Sequence, residues 1–286
     1  MLHRFVLHND EIREASEKIF SPGQVGLLSG WGVFTTIRVA AGVLFAFERH
    51  WARMCADAAA FHVAMPDDPE RVRRRLGDLV EANGAREAAM RVVVVRNHGG
   101  VWAGAGHAPP SDLVALTAAK KDWGAGAKLT YAPQARHSAC VFAGAKILSW
   151  AANLTRLEDA HANGFDEVIL LNERGEVAEC ASANIFIAEG SRVWTPPLAS
   201  GCLPGVTRDV LLSEARVPEF PLGEKAIFPA DLERASELFI TSTTRGLLPV
   251  TAIEGRRTPP PGPAFRALSQ AFSACVVRYV DGQRGR

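Results

Sequence analysis

Neither sign of charge dominates this 286-residue chain, in which 32 lysines and arginines stand against 31 aspartates and glutamates. Without a net field, the composition excludes the electrostatic footprint of a nucleic-acid binder or an anionic-membrane binder. A small molecule or another protein is left as the expected partner. Cysteine is sparse, and the residues at 55, 140, 180, 202 and 275 form no CxxC pair and no disulfide-dense pattern, which fits a reducing cytoplasm better than secretion. No stretch approaches the roughly 18 uninterrupted apolar residues that span a bilayer. The opening "MLHRFVLHNDEIREASEK" has no apolar h-region, and no internal repeat is visible. The chain is nevertheless 48% hydrophobic, and its length is ample for one large or two medium domains. The expectation is a soluble cytoplasmic globular protein.

Strand and helix signals interleave. "GVFTTIRVAAGVLF" reads as two β-branched runs turning at Ala41-Gly42, a hairpin signal. Helical spacing follows over 48–61 and again after Pro69, the second helix stopping at Asn83-Gly84. "AAMRVVVVR" and "DLVALTA" are strands, separated by the glycine-rich "NHGGVWAGAGHAPP". In "AKKDWGAGAK" periodicity gives way to small and charged residues, so 120–128 is read as a linker between a first domain, 1–119, and a second, 129–286. In the second domain the spacing predicts a helix from about Leu148 with Trp150, Leu154, Leu157 and His161 on one side. After it come the strand "EVILL", the hairpin "NIFIAEGSRVWT", a turn feeding the helix "LPGVTRDVLLSEA", the strand "SELFITSTT" and a closing amphipathic helix. The class is α/β (α+β) in two domains.

Three constellations carry chemistry. In "GCLPGVTRDVLL" a Pro204-Gly205 turn leads straight into a helix whose first N–H groups and Thr207 suit an anion. It is joined by "TSTT" (241–244), a strand end rich in hydroxyls, and by Arg53 in "ERHWAR". Taken alone, Thr207 reads first as a mere helix cap; with the strand end and Arg53 the set describes a phosphate monoester site without a Walker lysine. Lys146 in "FAGAKILSW" has apolar flanks, which favour the neutral amine that forms Schiff bases; alone, it reads as a lysine whose stem is buried and whose amine reaches solvent. Glu179 in "ECASANIF" stands next to a core strand, where a buried carboxylate needs a partner. A lysine, a phosphate cup and a buried acid are what pyridoxal 5'-phosphate requires.

The chain resembles the class IV aminotransferases, the fold-type IV pyridoxal-phosphate enzymes. "GVFTTIR" (32–38), "FERHWARM" (47–54), "VVVRNHGG" (93–100), "NGFDEVILLNERGEVAECASANIF" (163–186), the "LPGVTR" stretch (203–208) and "ELFITSTTRGLLPV" (237–250) fall in that family's order. The resemblance implies that Lys146 is the Schiff-base lysine and Glu179 the partner of the pyridine nitrogen. Arg53, the Val206 N–H, Thr207, Ser242 and Thr243 are implied as phosphate ligands. Phe34, Thr36, Arg38 and Arg96 are candidates for the substrate wall; for Arg96 a structural ion pair is the alternative, and Arg91 competes for the carboxylate. Asn184 is read as satisfying backbone rather than doing chemistry. The implied activity is transfer of an amino group between an amino acid donor and a 2-oxo acid acceptor by a homodimer. The segment from Asn97 to Pro110, with Trp102, is a candidate covering loop. The chain departs from the family pattern at Ser149-Trp150-Ala151 after the lysine, at Ser29 and Trp31, and at "FTTIR" where branched-chain enzymes read "FEGIR". The substrate therefore stays open, with 4-amino-4-deoxychorismate lyase, releasing pyruvate and 4-aminobenzoate, as the alternative.

Overall fold

A computed structural model describes residues 1–21, 23–99 and 109–284. Trp102 and most of the Asn97–Pro110 segment lie outside the described residues. The chain divides into two compact units.

The first unit comprises Met1–Lys121, Lys146–Trp150 and Tyr279–Arg286. Its elements are β1 (Leu2–His8), β2 (Glu11–Glu14), α1 (Val25–Ser29), β3 (Gly32–Ala40), β4 (Val43–Leu44), α2 (Phe47–Ala60), α3 (Pro69–Ala82), β5 (Ala88–Arg96) and β6 (Ser111–Ala119). The six strands form one antiparallel sheet in the order β2-β1-β6-β5-β3-β4. The hairpin read at Ala41-Gly42 is present, with positive φ at both residues (50° and 85°), the backbone that a tight two-residue turn demands. Period-two alternation divides β3 between two environments. Val33, Ile37 and Val39 join Met54, Ala58, Leu76 and Leu79 in the buried core under α2 and α3, while Phe34, Thr36 and Arg38 project from the opposite face. Asp68 caps α3, its carboxylate accepting from Arg71 N at 2.9 Å, with Pro69 in the first turn.

The second unit comprises Asp122–Ala145 and Ala151–Arg278. It holds β7 (Ala127–Ala132), α4 (Ala151–Ala162), β8 (Glu167–Leu171), β9 (Val177–Cys180), β10 (Asn184–Glu189), β11 (Arg192–Thr195), α5 (Val206–Ser213), β12 (Leu222–Glu224), α6 (Pro229–Arg234), β13 (Glu237–Ser242), β14 (Gly246–Ile253), β15 (Arg256–Arg257) and most of α7 (Pro263–Arg284). Nine strands form a mixed sheet: eight run in the order β12-β11-β10-β13-β14-β7-β8-β9, and β15 pairs with β14. The β14–β7, β7–β8 and β11–β12 pairings are parallel. Its core packs Ile169, Ile185, Ile187, Ile240, Leu248 and Val250, with the partly buried Trp123 against them. Phe186 and Phe239 stack at 5.3 Å.

One helix differs from the sequence reading. The expected start near Leu148 fails because the backbone before Ala151 is committed to β3: Leu148 N donates to Gly32 O at 2.9 Å and Ile147 bridges Val33. The helix begins at Ala151, its inward positions are Asn153 and Ala160, and Leu154 is exposed. Asn153 points inward because its amide donates to Ala181 O at 2.7 Å. Among the described residues, no helix is long and apolar enough to cross a membrane.

Candidate functional site

In the first unit the site residues gather around Phe34. Lys146 is fixed at its backbone, where its N–H donates to Asp57 Oδ2 at 3.1 Å and its carbonyl accepts from Phe34 N at 3.0 Å. Its Nζ then lies 4.6 Å from the Phe34 ring centroid and 5.5 Å from that of Trp150, and the two rings meet edge to face. Two aromatic faces thus flank the amine at cation–π range. On the α2 side of β3, Arg53 Nη2 donates to Thr35 Oγ1 at 2.9 Å, and His50 Nδ1 lies 2.7 Å from the same oxygen. Burial, with Arg53 and Lys146 nearby, pushes the His50 imidazole well below the ordinary histidine range. Burial also pushes the Asp57 carboxyl up, opposed by the Lys146 N–H and by the charges of Arg53 and Lys146.

The substrate-wall candidates separate. Phe34, Thr36 and Arg38 share one face of β3, and the register sets Arg91 directly opposite Thr36 on that same face. The Arg91 guanidinium lies 4.5 Å from the Phe34 centroid. Burial lowers its pKa, and among the described residues no carboxylate pairs with it. Arg96, at the strand end, lies 4.0 Å over the Trp31 ring and donates to His98 O at 2.6 Å and His62 O at 3.1 Å. Among the described residues it is held by backbone carbonyls and an aromatic face, with no ion pair. Arg38 keeps a buried Nε with no hydrogen-bond partner.

In the second unit Glu179 and the Pro204-Gly205 turn lie together. Glu179, on β9, is 4% exposed. Its Oε1 accepts from Arg136 Nη2 at 2.7 Å and its Oε2 from Leu203 N at 3.1 Å. Asn184, at the start of β10, donates to Leu203 O at 2.9 Å, the backbone service expected of it. Its Oδ1 lies so close to Gly205 that an added Cβ would stand 2.0 Å from it. Gly205, not Thr207, is the N-cap of α5, and no side chain caps the helix. Thr207 is therefore not the cap, and the first-turn N–H groups have no capping side chain. Val206 and Thr207 are buried in that turn. Arg208 anchors the helix through Glu224 and Pro196 O. The "TSTT" strand end follows β13: Thr241 is paired with Asn184 and its buried hydroxyl has no partner. Ser242 Oγ accepts from Arg245 N at 3.3 Å, and Thr243 stands in the turn after β13.

Arg136 is the residue that sequence reasoning missed. It sits in an irregular stretch after β7, and only its contact with Glu179 singles it out. A buried ion pair holds the loop between β9 and β10: Arg245 reaches Glu167 Oε2 at 3.2 Å and Ser182 Oγ at 2.9 Å, and lies 3.9 Å over the Trp123 ring. Burial pushes the Glu167 carboxyl up, against the pull of Arg245 and the Ser182 hydroxyl. Two cysteines flank this region without being nucleophiles. Burial raises Cys180 well above the usual thiol range and pushes Cys202 up to about 12, so both stay thiols at neutral pH. Among the described residues no group of three or more His, Cys, Asp or Glu side chains could hold a metal ion.

The amino-transferase class IV family profile matches residues 32–253. A D-alanine aminotransferase from Bacillus licheniformis is 28% identical over 278 residues, covering 95% of this chain and 97% of the relative. A branched-chain-amino-acid aminotransferase from Pseudomonas aeruginosa is 26% identical over 264 residues, covering 85% and 83%. Among solved structures, a branched-chain aminotransferase from Thermoproteus uzoniensis with norvaline superposes with a TM-score of 0.88 at 24% identity, covering 97% of this chain and 96% of that one. The two-sheet architecture is the fold-type IV aminotransferase fold, as the sequence resemblance implied.

Proposed function

The chain belongs to the class IV aminotransferases, and from that premise we propose that it moves an amino group between an amino acid and a 2-oxo acid with pyridoxal 5'-phosphate as its resident cofactor. The observation that carries the reading is Lys146, an amine lodged between the Phe34 and Trp150 rings on a backbone fixed by Asp57 and Phe34.

The residues present fit the cofactor. Among the described residues the Thr241 hydroxyl is buried without a partner, and the first turn of α5 has no capping side chain. These are unmet polar groups in a unit otherwise built on an apolar core, and a bound polar ligand would relieve them. In this reading Lys146 bonds the cofactor and Glu179 pairs with its ring nitrogen. Arg53, the Val206 N–H, Thr207, Ser242 and Thr243 take its phosphate. When bound, pyridoxal phosphate supplies an aldehyde that captures an amine and a cationic ring that accepts the electron pair left by the departing α proton. The protein does the rest. Lys146, once free, carries the α proton as general base and then acid. Glu179 keeps a proton on the ring nitrogen, and Arg136 and the Leu203 N–H hold its carboxylate in place. Phe34, Thr36 and Arg38 form the wall, and Arg91 supplies the cation for a substrate carboxylate. Arg96, engaged by Trp31 and two carbonyls, braces the strand end.

The same reading makes the protein a cytoplasmic homodimer. Its five cysteines are all free, in keeping with a reducing compartment.

The test is a half-reaction. An amino acid alone should bleach the cofactor's long-wavelength absorbance, and a 2-oxo acid added afterwards should restore it. If no amino acid of either hand does so while aminodeoxychorismate yields pyruvate and 4-aminobenzoate, the transaminase reading is wrong and the lyase stands.

A further inference from the structure

A cavity of about 250 Å³ in the second unit is lined by residues of β7, α6 and the β14–β15 hairpin. None of them belongs to the set assigned to the cofactor. The hairpin turns at Glu254-Gly255, with φ of 49° and 78°. Such a two-residue turn ordinarily carries Asn or Asp in its first place. Here the longer Glu254 side chain reaches back to β7, where its Oε1 accepts from Thr130 Oγ1 at 3.3 Å and from Tyr131 N at 3.4 Å. From β15, Arg256 Nη1 lies 3.2 Å from Glu233 Oε2 on α6. The hairpin is thus tied to both neighbours of the cavity.

The lining carries balanced charge, Glu233 and Glu254 against Arg256 and Arg257. Surface charges alone ask for no ligand, but two groups in this cavity are unengaged. The Arg257 guanidinium has no hydrogen bond or ion pair among the described residues, and its fork suits a carboxylate. The Tyr131 hydroxyl likewise has no hydrogen bond among the described residues. Burial and the charges of Glu233 and Glu254 push this phenol up to about 12, against the pull of Arg256. At neutral pH it is a hydroxyl that can donate and accept, in the field of both acids. Leu232, Ile253 and Pro259 supply the apolar part of the lining. A purely anionic ligand would meet two carboxylates and a purely cationic one two guanidiniums. A zwitterion with an apolar body meets each charge with its opposite.

We propose that this cavity is a second binding site, for a free α-amino acid with an apolar side chain: Arg257 takes its carboxylate, Glu233, Glu254 and the Tyr131 hydroxyl take its ammonium, and Leu232, Ile253 and Pro259 take its side chain. The site is separate from Lys146 and does not depend on the cofactor assignment.

The experiment titrates leucine of each hand, by calorimetry, into the holoenzyme after borohydride reduction, which stops an amino acid from exchanging with the cofactor. At least one hand should bind at about millimolar concentration. Arg257 is exposed, so Arg257→Ala leaves the core untouched; it should weaken binding about tenfold or more, the effect of losing a hydrogen bond between charged groups. Tyr131→Phe, which keeps the ring and deletes the hydroxyl, should weaken it less. Arg91→Leu, in the other unit, should leave it unchanged. 4-Methyl-2-oxopentanoate lacks the ammonium and isopentylamine lacks the carboxylate, and each should bind about tenfold more weakly than leucine. No binding, binding indifferent to Arg257→Ala, binding lost in Arg91→Leu, or equal binding of the 2-oxo acid each overturns the proposal. Crystals of the unaltered protein soaked in leucine give a readout that needs no variant: leucine in this cavity supports the site, and an empty cavity refutes it.

Discussion

Changing Gly205 to alanine places a methyl group 2.0 Å from Asn184 Oδ1 and 3.2 Å from its Cγ. The backbone is not the obstacle, since φ at Gly205 is −64°, which alanine adopts freely. The obstacle is the amide, and it cannot swing away without giving up its bond to Leu203 O. Overpacking costs about 1–3 kcal/mol and a lost buried hydrogen bond about 1–3 kcal/mol more. The sum, about 2–6 kcal/mol, lowers the melting temperature by about 4–24 °C for a unit of this size, at about 2–4 °C per kcal/mol. Because Leu203 N also holds Glu179, cofactor affinity should fall as well. Thermal melts of a double-mutant cycle isolate the clash. Asn184→Ala removes the obstructing oxygen, so in that background Gly205→Ala should cost less than about 1 kcal/mol. An equal penalty in both backgrounds would refute the steric account.

Replacing Glu179 with Gln should cut turnover by orders of magnitude while cofactor binding persists, read by steady-state kinetics beside an absorbance titration; near-normal turnover rejects its role. For Arg91→Leu the expected change is a KM for the 2-oxo acid raised about ten- to a hundredfold, the worth of about 1.5–3 kcal/mol for a hydrogen bond to a charged group, and an unchanged KM removes Arg91 from the wall. His50 gives a pH signature. Its folded pKa lies below its unfolded value near 6.5, so the unfolded chain binds the extra proton. Its contribution is fully present above pH 6.5 and is lost as pH falls from there toward the folded pKa, by up to about 1.4 kcal/mol per pH unit. Denaturant unfolding across that range should lose this slope in His50→Gln; an unaltered slope contradicts the buried neutral imidazole.

What local chemistry dictates was legible in the sequence. Ala41-Gly42 announces its hairpin because turn backbone is set by the residues in it, and "AAMRVVVVR" reads as a strand because β-branched side chains suit a pleated sheet. The turn into α5 was visible at Pro204-Gly205 because a helix start is local. The parallel pairing of β14 with β7 was not visible, since it joins segments more than a hundred residues apart and leaves no mark on either. The start of α4 was misplaced for a related reason: Leu148 and Ile147 fit a helical stripe, but their backbones are taken by β3. At the site, Lys146 and Glu179 stood out because a cation and an acid beside apolar runs demand partners. Arg136, which meets Glu179, stood in "QARHSAC", where no period or cap distinguishes one arginine from another. Arg91 and Arg96 could not be ranked before the register set Arg91 opposite Thr36 and gave Arg96 to Trp31.

The central claim is that Lys146 is the residue to which the cofactor is bonded. Borohydride reduction of the purified yellow protein, followed by proteolysis and mass spectrometry, tests it most directly. The account predicts a phosphopyridoxyl mass on the peptide containing Lys146 and on no other; label on a different lysine, or none in cofactor-saturated protein, would contradict it.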